Sequence, residues 1–349
     1  MSNRLLSRRD FLKWGSAATA FALLPPSVVQ AERLTPDHQP LANRVASPPA
    51  SLGRISVGYG QPVRKEAKLK AAIVVNKAYD DIIPLYAQVE GEAPWPSNPI
   101  WYQTDEGYIH SSYVQPVENI PSGSPVTPID KPGIWLQVCV PIAGSRWRMD
   151  SQAVSRKLYY GTVYRAIAAE QDAKGEWWYR LQDGIAYSPG PYVPAWSMGH
   201  LTEAAVSPLS SHVTDKHIEV NIKDQVLTCF EGDTPVFSTR TATGLPGTRT
   251  LPGEYRILRK RFTSYMIGGS GAGYYNLPGV AFPTYFTASG IAVHGTYWHN
   301  DYGRPKSHGC VNVRDEAALF VFRWTTPALP YSESGLIAKA DEATKVIVI

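Results

Sequence analysis

One cysteine in this 349-residue chain stands in a setting suited to chemistry. Ser307-His308-Gly309-Cys310-Val311-Asn312 follows His294-Gly295-Thr296 at a short interval. A thiol becomes a strong nucleophile near neutral pH when a base lies beside it. His294 is the first candidate for that base, and His308 is the second. Attack on a carbonyl also needs backbone N–H groups aimed at the oxygen that gains charge. The N–H groups of Gly309 and Cys310 are candidates, because a glycine lets the chain turn sharply enough to present them beside the sulfur. The pattern reads as a cysteine acyl-transfer site. A buried structural thiol is the plainer reading of any single cysteine. The polar, glycine-flanked setting speaks against it here.

The other cysteines, Cys139 and Cys229, lie in apolar, strand-like runs and read as buried, unpaired thiols rather than as a disulfide. His294, His299, Asp301, His308 and Cys310 could each ligate a metal, but their spacings match neither paired CxxC nor HExxH. No metal and no cofactor is expected. The run Gly268-Gly269-Ser270-Gly271-Ala272-Gly273 lacks the Gly-Lys-Ser/Thr that completes a phosphate loop, and reads as a mobile loop near the cleft. Arg256, Arg259, Lys260 and Arg261 read as a solvated strand face.

The elements that must hold these residues are mostly strands. From about residue 212 to Val293, Thr, Val, Ile and Tyr alternate between Gly and Pro breaks. Asp315–Trp324 reads as a short helix burying Ala317, Leu319, Phe320 and Trp324, and Lys345–Ile349 as a closing strand. Further upstream, residues 51–118 hold short β-type runs, with a hairpin signal at Asp105-Glu106-Gly107. A Pro- and Ser-rich linker spans 119–133. Residues 134–205 form a second β-rich unit. In it Trp178-Tyr179, Gly184, Tyr192-Val193 and Pro194 echo Trp101-Tyr102, Gly107, Tyr113-Val114 and Pro116. Both units resemble bacterial SH3-like barrels, the second alternatively a β-rich connector.

At the amino terminus, Ser7-Arg8-Arg9-Asp10-Phe11-Leu12-Lys13 precedes a modest apolar run ending at Val29-Gln30-Ala31. This is the pattern of a twin-arginine export signal over 1–31, cleaved after Ala31. Pro25-Pro26 and the short apolar stretch argue against a spanning helix. Residues 32–50 read as a flexible tether. The chain carries a net charge of +4, of which Arg4, Arg8, Arg9 and Lys13 against Asp10 supply most, so no nucleic-acid partner is expected.

The Ser-His-Gly-Cys stretch with its upstream His-Gly-Thr resembles the signature of YkuD-type L,D-transpeptidases. His217-Ile218-Glu219-Val220-Asn221, Thr243-Gly244 and Thr250-Leu251-Pro252-Gly253-Glu254-Tyr255 extend the resemblance. It implies a mainly β protein, a β-sandwich catalytic domain with short helices over 212–349 preceded by one or two SH3-like barrels. It implies Cys310 as nucleophile, His294 as base and the Gly295 carbonyl as the group orienting His294. His308 and Ser307 would shape the pocket, and Asn312 and Arg314 would hold the loop or meet a substrate carboxylate. Tyr274, Tyr275, Tyr285 and Trp298 would line the cleft. The implied partners are peptidoglycan stem peptides as substrate and carbapenem-type β-lactams as covalent inhibitors. The implied reaction is a 3→3 crosslink, with L,D-carboxypeptidase action or a non-catalytic wall-binding role as alternatives. The chemistry is expected to lie wholly within residues from about 212 onward, so that a chain starting near Ser210 keeps turnover.

Overall fold

The computed structural model describes residues 51–349, apart from Asp183 and 185–188. The export signal and the tether lie outside the described residues. What is described is mainly β.

The first unit pairs Ser51–Ile55 with Ile82–Leu85 and Val114–Val117, beside a five-stranded sheet that includes Gln61–Arg64, Ile100–Gln103 and Tyr108–His110. Its small core is Ile55, Val63, Ile83, Leu85, Tyr102, Ile109 and Val114. The second unit is a five-stranded antiparallel sheet containing Ile134–Val138, Val163–Gln171, Trp177–Gln182, Pro189–Pro194 and Met198–Leu201. Both units close with two antiparallel strands, a 3₁₀ turn and a further strand. The 3₁₀ turn is Ser111–Tyr113 in the first and Ala195–Ser197 in the second. By that order Val114 corresponds to Met198, whereas the sequence echo aligned it with Val193. The aromatic pairs Trp101-Tyr102 and Trp178-Tyr179 do coincide.

The remaining residues build two five-stranded sheets and a hairpin. In one sheet the order is Thr234–Arg240, Val226–Glu231, Lys216–Asn221, Lys345–Val348 and Gly253–Arg256. Lys216–Asn221 alternates strictly, with Lys216, Ile218 and Val220 turned inward, as a strand with one buried face must. The second sheet runs Val311–Val313, Ala292–Gly295, Thr284–Tyr285, Arg259–Arg261 and Gly335–Ile337. Ala292–Gly295 and Val311–Val313 are parallel and buried at every residue. A parallel pair is covered on both faces, so its residues need not alternate. The helix Asp315–Trp324 packs on Ala292–Gly295 and Tyr275–Ala281. Its buried residues are Ala317, Ala318, Val321, Phe322 and Trp324, while Leu319 and Phe320 are only partly covered. The buried stripe is thus set by the 317/318/321/322 spacing of a helical face.

Two expectations change. Lys260 is fully buried, not solvated: its Nζ donates to the Thr325 carbonyl at 2.9 Å and the Pro327 carbonyl at 3.1 Å. Burial pushes its pKa down to about 7. The second change concerns the truncation near Ser210. The largest core joins Trp135, Val163, Leu201 and Val206 to Ile218, Phe262, Phe282, Val293 and Val311. Trp135 Nε1 donates to the Tyr331 carbonyl at 2.9 Å, and Tyr331 Oη donates to the Leu201 carbonyl at 2.9 Å. A cut near Ser210 runs through this shared core.

Candidate active site

The parallel register sets His294 opposite Asn312 and Val293 opposite Val311. Cys310 immediately precedes Val311, and the Ala292 N–H favours its thiolate. Registered residues of a strand pair share a face, and so do residues two apart. Ala292, His294, Cys310 and Asn312 therefore share one face, with Cys310 one register pair along from His294. Cys310 Sγ also lies 3.8 Å from the Gly290 carbonyl.

His294 is buried, with Nδ1 2.8 Å from the Gly295 carbonyl. Only an N–H can meet a carbonyl oxygen, so Nδ1 carries the proton and Nε2 keeps its lone pair. The contact named from the resemblance is present. Burial pushes His294 down to about 4, against the pull of the Gly295 carbonyl. Burial pushes the Cys310 thiol up to about 11, and the Ala292 N–H opposes it. Both groups therefore rest neutral near pH 7. Cys310 as a residue is half-buried, unlike the buried Cys139 and Cys229.

The cysteine loop is fixed by residues far upstream in the chain. Ser307 bridges Gly244, its N–H donates to the Thr243 carbonyl at 3.0 Å, and its carbonyl accepts from the Leu245 N–H at 2.9 Å. Thr250 Oγ1 donates to the Gly309 carbonyl at 2.7 Å and accepts from the Gly244 N–H at 3.0 Å. A side chain on Gly244 would collide with the backbone of Thr248 and Thr250, so the Thr-Gly pair is a packing requirement. Gln225 holds Thr243 from the other side through its side-chain amide. Gly309 has φ +113°, where only glycine rests without strain. Its N–H donates to Ser307 Oγ at 3.1 Å, and Ser307 Oγ donates to the Cys310 carbonyl. The Gly309 N–H is therefore taken up within the loop, which leaves Cys310 N–H as the oxyanion-donor candidate.

The remaining candidates divide. Tyr285 is buried, its hydroxyl 2.8 Å from Ser264 Oγ and its ring under the Arg259 guanidinium at 4.0 Å. Burial raises the pKa of both Tyr275 and Tyr285, and a charge on Cys310 would add to that rise. Trp298 lies against His294 with ring centroids 5.8 Å apart. His308 is exposed and packs on Tyr275, under the glycine-rich turn of the hairpin Thr263–Gly268/Tyr275–Ala281, where its Nε2 faces Gly273. Tyr274 is exposed. The Asn312 amide lies 2.9 Å from His299 Nε2, which gives it a bracing position. The Arg314 guanidinium lies over the Tyr302 ring at 5.6 Å.

Sequence reasoning missed the braces on the segment after His294. Arg54 is fully buried, pairs with Asp80 at 2.8 Å and donates to the Tyr297 carbonyl. Tyr159 stacks on Tyr297 at 5.3 Å. Ser112 Oγ donates to Asp301 Oδ1 at 2.9 Å. Both upstream units thus grip the chain that carries His294 and Trp298. An arginine inside a strand of the first unit was the only sequence signal, and it named no partner.

Residues 215–348 match the family model of the L,D-transpeptidase catalytic domain, and residues 5–25 match that of the twin-arginine translocation signal. No curated protein matches the chain. Among solved structures, a cysteine mutant of the Enterococcus faecium L,D-transpeptidase is 21% identical over 39% of this chain and 50% of that one, with a TM-score of 0.32. This chain therefore spans about half the length of that relative. An L,D-transpeptidase from Mycobacterium smegmatis is 15% identical over 67% of this chain and 93% of that one, with a TM-score of 0.32. The E. faecium catalytic domain acylated by ertapenem is 22% identical over 40% of this chain and 100% of that one, with a TM-score of 0.30. Residues 215–348 are an L,D-transpeptidase catalytic domain of the YkuD type, on a chain whose amino terminus carries a twin-arginine export signal.

Proposed function

We propose that this exported protein is a cysteine L,D-transpeptidase that forms 3→3 crosslinks between peptidoglycan stem peptides. The observation that carries the reading is the shared face of Cys310 and His294, with Nδ1 of His294 fixed on the Gly295 carbonyl. Because burial holds both groups neutral, His294 acts as general base during attack rather than in a preformed ion pair. Nε2 takes the thiol proton as sulfur bonds to the carbonyl carbon of the L-centred bond between stem residues three and four. The Cys310 N–H meets the oxyanion. The C–N bond breaks, His294 returns the proton to the leaving amine, and the terminal D-amino acid departs from a thioester. The side-chain amine of the third residue of a neighbouring stem then attacks. His294 takes its proton and hands it to sulfur, which restores the thiol.

No step calls for a metal or cofactor. A carbapenem would acylate the same sulfur, its strained ring standing in for an activated donor. The two upstream β units, read as SH3-like modules, would add wall affinity. Incubation with disaccharide-tetrapeptide tests the acceptor. A dimer joined through two third residues supports transpeptidation, and free tripeptide alone would make the protein an L,D-carboxypeptidase.

A further inference from the structure

One half-buried carboxyl group beside Gly295 has no part in that reaction scheme. Asp315 opens the helix Asp315–Trp324. A methyl group on Gly295 would collide with its Oδ1, and one on Gly161 of the second β unit would collide with its Oδ2. The carboxylate is thus wedged between two bare stretches of backbone. Oδ1 sits against Gly295, at the peptide group that carries the Thr296 N–H, and that N–H favours the charged form of the carboxyl. That N–H belongs to the same peptide group as the Gly295 carbonyl, which accepts the Nδ1–H of His294.

We propose that Asp315 is a positioning residue for acyl transfer: through the Gly295–Thr296 peptide its carboxylate orients and polarises the carbonyl that holds His294, and so raises the basicity of Nε2 toward Cys310. The inference rests on the Cys310–His294 reading and deepens it. An amide whose N–H meets an anion carries more negative charge on its oxygen, and bonds in such a chain strengthen one another. A stronger acceptor at Nδ1–H favours the imidazolium that forms as Nε2 takes a proton. In a Ser-His-Asp triad the carboxylate touches the imidazole directly. Here one peptide group stands between them. Gly295 has to be glycine because Asp315 fills its side-chain space.

Ionisation of Asp315 governs the effect. Burial and the adjacent Glu316 push it up to about 7, while the Thr296 N–H and Arg314 pull it down. Tyr160 of the second unit and Tyr302 of the segment after His294 also feel its charge. Its folded pKa lies above the ordinary carboxylate value of about 3.9. Its contribution to stability is therefore full below about pH 4 and lost as pH rises through about 7. At pH 8 the ionised group destabilises the fold, as groups retained for function often do.

The test is the rate of Cys310 alkylation by iodoacetamide between pH 5 and pH 9, read by intact mass, with the melting temperature of each full-length variant. Wild type should show an inflection near pH 7 that Asp315→Asn lacks. At pH 8 the variant should react about tenfold more slowly, the equivalent of one pKa unit, and melt no lower than wild type. An unchanged pH profile with a lower melting temperature would reduce Asp315 to a structural role. Equal labelling of Cys310→Ala would instead overturn the acyl-transfer reading beneath it. Should Asp315→Asn not fold, the His294 Nδ1–H resonance of the wild type decides. It should shift with a midpoint near pH 7, and a resonance fixed from pH 6 to pH 8 would overturn the proposal.

Discussion

Trp135 stacks on Phe262 with ring centroids 4.6 Å apart, and so ties the second β unit into the core that also holds Val293 and Val311. Trp135→Ala should destabilise the whole protein by about 3–5 kcal/mol, the usual cost of emptying a buried tryptophan site. A chain beginning at Ser210 should fail to melt cooperatively, because it exposes Phe262 and loses the Arg165 contacts to Ser332 and Ser334. Thermal unfolding followed by circular dichroism checks both. A sharp transition in the shortened chain would show that residues 210–349 fold alone.

Lys260 makes stability depend on pH. Its folded pKa, about 7, lies below the ordinary lysine value. The contribution is therefore present above about pH 10 and lost as pH falls through about 7. Lys260→Met should gain on wild type at pH 6 and lose that advantage as pH rises toward 10, where the unpaired Thr325 and Pro327 carbonyls dominate. Paired denaturation curves at the two pH values measure the difference. Parallel curves would contradict a buried, titrating amine.

Thr250 links the cysteine loop to Thr243-Gly244 through two buried hydrogen bonds. Thr250→Val keeps the shape and leaves the Gly309 carbonyl and the Gly244 N–H without partners. Each buried group left unpaired costs about 1–3 kcal/mol. Stability should fall by that order, and Cys310 alkylation should slow in the folded fraction. Unchanged alkylation would mean that the loop is held by Ser307 alone.

A carbapenem should add one equivalent of mass to the protein, and the adduct should be absent from Cys310→Ala. Cys139 and Cys229 are buried and should stay unmodified. An adduct retained in the variant would place the reactive thiol elsewhere.

The candidate site residues were legible in the sequence because a short glycine-flanked motif carries them. The helix Asp315–Trp324 was legible to its ends and its buried face in part. Ala317 and Trp324 are buried as expected, but Leu319 and Phe320 are only partly covered, and only packing shows that Ala318, Val321 and Phe322 complete the face. Lys260 looked solvated because local composition does not reveal that Thr325 and Pro327 supply carbonyls from 65 and 67 residues away. Arg54, Ser112 and Tyr159 act on the His294 segment across long separations in the chain, and no local pattern encodes such contacts. The role of Thr250 was hidden for the same reason, although the motif around it was visible.

The most direct test of the cysteine mechanism is the intact mass of the full-length mature protein during turnover of disaccharide-tetrapeptide. The account predicts a transient adduct equal to the substrate less its terminal D-amino acid, mapped to Cys310, with crosslinking slowed by several powers of ten in Cys310→Ala. Crosslinking by Cys310→Ala at close to the wild-type rate would contradict it.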